Sequence, residues 1–430
     1  MKTCALCKKN KELRLSHVIP SFVGKWLKET SATGLLRGLT DADKRLQDVG
    51  KTWLLCNDCE QRISALETYF ANEVFYPFVE SGRRNFKYDS RLLRFVISLS
   101  WRTLVSGYNS FGRILPQLLS YVNVAEATWS NYLLDISRDC GPYEHHVFFF
   151  DCVKDEKEMP ANFQWYSLRA VDSTLLGNKE QALVYTKFPW MMFVSTIQPT
   201  QLQGWKNTKI SERGEIEQPQ SIHDDLFGHF LLSRYNSILD KKPLQTKIDT
   251  RIVKTLEKNP SRFFRSKSLE TFFIEAQRER KRRKELLHPA VQSLIEIVEA
   301  ASEDLNLTEE QRAYQRFGRH ILADALSKVS GNEELEIASL MESALHDSRT
   351  RGEDERFVFK GKEITIIFMI NLYSDQDQRY QIVSSELDDQ IEKKKEGEKR
   401  HFMVVSWTPF EPIFPYISEF YIDDENVSSR

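Results

Sequence analysis

The sequence predicts an α+β protein whose N-terminus is built around a metal. Three observations carry that prediction. Two C-x2-C pairs, Cys4-Ala5-Leu6-Cys7 and Cys56-Asn57-Asp58-Cys59, stand near the start of the chain. Amphipathic stretches with helical spacing follow to about residue 138. After Gly141-Pro142 the texture changes to β-rich runs separated by turn residues. The predicted organisation is a zinc-bound module at 1–75, a helical and antiparallel-sheet domain at 76–215, a helical region with a basic segment at 216–350, and a small α+β part at 351–430.

The cysteines come first. A C-x2-C knuckle lets two thiolates meet one cation, and two knuckles complete the tetrahedral S4 shell that zinc prefers. Cys4, Cys7, Cys56 and Cys59 are therefore expected to hold a structural Zn2+. The alternative is two unrelated pairs or redox disulfides, which fits less well because redox chemistry uses one C-x2-C on a βαβ scaffold. Cys140 and Cys152 remain as unremarkable thiols.

Between the knuckles lies Ser16-His17-Val18-Ile19-Pro20, and the second knuckle reads Leu54-Leu55-Cys56-Asn57-Asp58-Cys59 at the start of a helical pattern. A knuckle, an x-His-x-x-Pro strand and a second knuckle entering a helix resemble the zinc-bearing HNH (treble-clef, ββα-metal) nucleases over about residues 1–70. The resemblance implies hydrolysis of DNA phosphodiester bonds, with His17 as general base and a second, catalytic ion, Mg2+ or Mn2+. It also implies a bacterial anti-phage defence context. Three positions depart from the family pattern. Ser16 stands where an Asp or His would bind the catalytic metal, Lys51 and Thr52 where the middle Asn falls, and Glu60 where the last His would be. A carboxylate at Glu60 suits magnesium or manganese. Glu67, two turns later, shares its face if residues 58–75 are helical, and Asn57 and Asp58 are nearby oxygen donors. The alternatives are a non-catalytic zinc-stabilised module that binds nucleic acid or protein, with His17 buttressing the zinc loop, or an effector silent until a partner engages it.

The 430 residues are 41% hydrophobic and 28% charged, and 60 Lys plus Arg against 62 Asp plus Glu leave a net charge of −2. Attraction to nucleic acid must therefore be local. Basic residues collect in three places: over 1–60, over 81–102 (Arg83, Arg84, Lys87, Arg91, Arg94, Arg102 against Asp89), and over 251–284. Arg83, Arg84, Arg280, Lys281, Arg282 and Arg283 are the expected phosphate contacts, although a solvated helix surface would read the same way. No run of eighteen apolar residues is present, so no membrane partner and a cytoplasmic location are expected.

In chain order, Leu66, Tyr69, Phe70 and Val74 mark one helix, 90–106 a second and about 113–138 a third. Strands are expected at 145–150, 163–171, 182–186 and 190–197, with His145 and His146 on opposite faces in structural roles. Residues 199–222 read as an exposed connection, and helices are expected to about residue 350. The last part reads as a hairpin over 357–370 turning at Lys360-Gly361, a solvated stretch at 386–400, and a strand at 401–407. No G-x4-G-K-S/T, G-x-G-x-x-G or G-x-S-x-G motif occurs, which removes ATPases and acyl hydrolases from consideration. Any energy-driven step would need a protein partner with ATPase activity.

Overall fold

In the computed structural model, strands β1 (Lys2–Thr3) and β2 (Asn10–Lys11) pair antiparallel around the first C-x2-C turn. Lys8, at φ 57°, takes the left-handed conformation that closes this turn. Strand β3 (Leu13–His17) follows, and Pro20 opens α1 (Ser21–Glu29). The short strands β4 (Leu36–Arg37) and β5 (Arg45–Leu46) pair with each other. Strand β6 (Lys51–Cys56) then returns antiparallel to β3, and Cys56 serves as N-cap of α2 (Asn57–Phe70). The register runs Leu13↔Cys56 and Arg14↔Leu55, shifts by a bulge, and continues Leu15↔Trp53, Ser16↔Thr52 and His17↔Lys51.

A π-helical turn (Ala71–Phe75) joins α2 to α3 (Tyr76–Ser81), which stops at Gly82 with φ 66°. After β7 (Phe86–Tyr88) the Asp89 side chain caps α4 (Ser90–Ile114) at the Arg91 N–H. All residues from Phe95 to Leu104 are buried, so α4 is covered on every side, as a central helix must be. It runs beyond the expected 106. Pro116 opens a single 3-10 turn before α5 (Leu119–Leu133), so the third helix starts later than the spacing suggested.

Strand β8 (His145–Phe149), helix α6 (Phe163–Arg169) and strands β9 (Asp172–Gly177), β10 (Ala182–Phe188) and β11 (Met191–Gln198) follow. They build an antiparallel sheet in the order β8-β11-β10-β9. The expected strand at 163–171 is thus corrected to helix α6. Its aromatic content misled, whereas Phe163, Tyr166 and Ala170, spaced by three and four, share one buried cluster. One face of the sheet packs on α4, where Phe70 and Phe95 stack at 4.0 Å and meet Phe188 and Phe193. The other face buries Phe148, Tyr185 and Val194 against α6 and α7 (Asp225–Leu239).

The segment 199–222 is not an exposed connection. It forms β12 (Trp205–Lys206), β13 (Gly214–Ile216) and β14 (Ser221–Ile222), and buries Thr208, Ile210, Ile216 and Gln220. The Gln220 amide bonds the β8 backbone at Val147 and Phe149, so this polar segment extends the sheet edge. His145 bonds Ser195 and His146 bonds Thr208. Burial lowers their pKa values to about 3 and about 4, which keeps both rings neutral at pH 7 and fits structural roles.

The structure describes residues 2–37, 45–150, 163–216, 218–239, 258–284, 312, 355–360, 365–370, 400–407, 416–422 and 427–429. They belong to two units, 1–271 and 272–430. The second contains a five-stranded sheet in the order β15 (Glu355–Lys360), β16 (Thr365–Ile370), β17 (Arg400–Trp407), β18 (Tyr416–Ile422), β19 (Val427–Ser429). Strands β15 and β16 form the expected antiparallel pair, and β16 and β17 are parallel. Gly361, Cys152 and residues 386–399 lie outside the described residues. Among the described residues no helix is long and apolar enough to cross a membrane.

Candidate metal centre and the adjoining histidine

The four thiols meet. The Sγ atoms of Cys4, Cys7, Cys56 and Cys59 all lie within 4.8 Å of one another, and Cys7 and Cys56 are 3.8 Å apart. Zinc–sulfur bonds of ~2.3 Å in a tetrahedron place neighbouring sulfurs about 3.8 Å apart. The cluster can therefore hold a metal ion, and its donor set is the one zinc prefers. Local backbone makes the site: β1 and β2 fold the first knuckle, and the β6-to-α2 junction supplies Cys56 and Cys59 one turn apart.

Electrostatics agree with a cation. Burial raises the Cys4 thiol, but N–H groups of Cys7, Cys56 and Leu6 outweigh it and bring its pKa down to about 7. The Cys56 N–H lies 3.3 Å from the Cys4 sulfur. Burial, and then the neighbouring thiols, push Cys59 up. Four thiolates this close repel one another, and a divalent ion among them removes that conflict.

Side chains from α4 and α5 dock the module. Glu126 accepts from Lys8 in the knuckle (2.9 Å), from Trp101 on α4 (3.0 Å) and from Ser130 (2.9 Å). Asp135, just after α5, pairs with Arg62 of α2 and Arg94 of α4.

The strand carrying His17 has two differently used faces. Its pleat sends Ser16 inward, 1% exposed, where the hydroxyl donates to Glu60 at 2.5 Å. His17 points the other way, and its Nε2 lies 3.0 Å from Asp48, which also pairs with Lys51 at 2.7 Å. Burial raises the Asp48 carboxyl, but Lys51, His17 and the Val49 N–H prevail and hold it at about 2. Gly24 of α1 allows this loop its place, since a Cβ there would meet Val49 Cγ1 at 3.0 Å and Asp48 Oδ1 at 3.4 Å. Glu60 and Glu67 do share a face of α2. Glu67, however, is bonded by Arg102 at 2.5 Å, and the same guanidinium nitrogen donates to the His17 carbonyl at 2.9 Å. The structure thus joins Glu67 to the His17 backbone through Arg102, joins Glu60 to Ser16, and gives the His17 ring to Asp48.

Comparison with protein-family models, with curated proteins and with solved structures gives no match. The knuckle, hairpin and helix are compatible with a treble-clef module on their own geometry.

Of the expected phosphate contacts, Arg83 lies over the Phe86 ring and donates to Asn85 O, and Arg84 lies over Phe78 and donates to its carbonyl. Arg91 pairs with Asp89, Arg94 with Asp135 and Arg102 with Glu67, so much of the basic edge at 81–102 is used within the fold. Arg280, Lys281, Arg282 and Arg283 lie on the helix Lys267–Lys284, and their side chains are outside the described residues. Sequence reading missed Asp48. The hairpin register was a partial signal: Cys56 opposite Leu13 puts His17 opposite Thr52 in a regular ladder, and only the bulge after Arg14 brings it to Lys51, beside the turn that carries Asp48.

Proposed function

We propose that the protein is a metal-dependent endonuclease centred on His17, with a four-thiolate zinc as its structural anchor. The observation that supports this reading is the hydrogen bond of His17 Nε2 to Asp48, a carboxylate held ionised. Such a partner fixes the imidazole's tautomer and steadies the imidazolium formed when the ring takes a proton from water. With Nε2–H donating to Asp48, Nδ1 is the nitrogen left to act as base. The activated water forms the new P–O bond as the bond to the leaving oxygen breaks.

A magnesium-class ion would, when bound, stabilise charge on the phosphate and leaving oxygen; Glu60 would hold one only on the Ser16 face of the strand, away from the His17 ring. Among the described residues the cysteines form the one close group of three or more metal-ligating side chains. A single carboxylate fits this ion because magnesium relies on few protein ligands, with water and substrate phosphates filling its shell. Glu67, as counter-ion of Arg102, holds the strand.

The test is cleavage of supercoiled plasmid with magnesium, manganese or chelator. Nicking should require the ion, vanish in His17→Ala and weaken in Asp48→Asn. A His17→Ala protein that cuts as well as its parent overturns the assignment. A second reading, a non-catalytic zinc-stabilised binding module, is favoured by the Ser16–Glu60 and Arg102–Glu67 contacts, which satisfy both glutamates within the protein. It predicts one zinc per chain and no cutting.

A further inference from the structure

The face of the β3–β6 hairpin that carries His17 also carries an apolar patch. Leu15 and Trp53 are directly opposite in the register, two residues along from the His17↔Lys51 pair, and cross-strand partners share a face. Leu15 is 47% exposed and Trp53 60% exposed. Tryptophan is largely buried on average, and Trp26, Trp101 and Trp129 are so here. Trp165, the other exposed tryptophan whose burial is described, is 37% exposed. The hairpin's opposite face supplies Ser16 and Leu54 to the interior, so among the described residues Trp53 is not needed for the core.

We propose that Trp53, backed by Leu15, is a stacking platform for an unpaired base of a single-stranded nucleic acid, set beside the His17–Asp48 pair. The inference deepens the nuclease reading and rests on it for the choice of ligand. Two observations select this occupant. An exposed ring beside cationic side chains is the arrangement that binds single strands, where the ring takes a base and the cations take the phosphates. Arg14 and Lys51, the latter paired with Asp48, are both exposed on the same two strands. Charge is complementary as well. Residues 1–60 carry eleven Lys or Arg against seven Asp or Glu, and a dianionic tetrathiolate–zinc centre still leaves a formal excess of +2. A base within a duplex has both faces covered, so a lone ring can stack only on one that is unpaired or displaced.

The experiment is fluorescence anisotropy of the full chain with short labelled oligonucleotides, single-stranded DNA, single-stranded RNA and duplex DNA. It is run in calcium buffer without magnesium or manganese. The parent should prefer a single strand to the duplex. Trp53→Ala should weaken single-strand binding about 5- to 150-fold, the range expected for one stacked base, and Trp53→Phe should keep most of the affinity. Zinc content and melting temperature should not move, since the side chain is exposed. A Trp53→Ala protein that binds like its parent overturns the platform, and so does a parent that binds no oligonucleotide, which would assign the patch to a protein. The two readings separate cleanly. Plasmid cleavage and binding unchanged in Trp53→Ala would remove the platform and keep the nuclease. Single-strand binding lost in Trp53→Ala, with a parent that never cuts, would keep the platform and remove the nuclease.

Discussion

Arg102 is 2% exposed, and its charge is balanced by Glu67, whose side chain is 17% exposed. Its Nη1 serves Glu67 and the His17 carbonyl, its Nε serves Ser98 O, and its Nη2 has no hydrogen-bond partner among the described residues. Glu67→Ala would leave a buried guanidinium uncompensated. Removing one member of a buried pair costs about 3–5 kcal/mol, which in a unit of this size lowers Tm by roughly 6–15 °C. The reverse change, Arg102→Met, should cost less, about 1–3 kcal/mol, because Glu67 lies nearer solvent and loses chiefly hydrogen bonds. The double variant Glu67→Ala/Arg102→Met removes both charges together and should melt above Glu67→Ala. Scanning calorimetry of the four proteins closes the cycle. Additive losses, or a Glu67→Ala protein within about 2 °C of its parent, would show that the pair does not anchor the His17 strand to α4.

Three further outcomes are expected. Metal analysis should find one zinc per chain, and Cys56→Ser or strong chelation should release it and unfold residues 1–70, read as loss of protection in hydrogen exchange. Asp48 is held at about 2 against its ordinary 3.8, so its stabilisation is in place above about pH 4 and drains away as pH falls toward 2. The shift corresponds to ~2.4 kcal/mol unscreened and, at a side chain a third exposed, about 1 kcal/mol in practice; Asp48→Asn should flatten that acid limb in pH-dependent melting. Gly24→Ala should leave stability nearly unchanged, because a helix-propensity gain of about 1 kcal/mol offsets crowding at Val49. It should nonetheless displace Asp48 and alter the His17 imidazole NMR signals, and unchanged signals would refute the close approach.

Local patterns carried much of the architecture. The cysteine spacing predicted the cluster, because each knuckle is a local turn and only its pairing is long-range. Helical spacing placed α2 and α4, and β-rich runs placed β8, β10 and β11. Residues 163–171 failed because aromatic side chains serve strand and helix cores alike, and the three-and-four spacing of Phe163, Tyr166 and Ala170 was outweighed by composition. Residues 199–222 failed because Gln220 is polar yet buried, its amide matched to the β8 backbone.

The identities and spacings of Cys4, Cys7, Cys56 and Cys59 already contained the metal site, since tetrahedral thiolate coordination imposes itself on any chain that brings two knuckles together. The partners of the nearby charged groups were another matter. Glu60 meeting Ser16, Glu67 meeting Arg102 from α4, Asp48 meeting His17 from a turn, and Trp53 facing outward beside them all depend on hairpin register and helix packing. Those are set by burial across the whole first unit, and a one-residue slip of β6 would exchange its two faces.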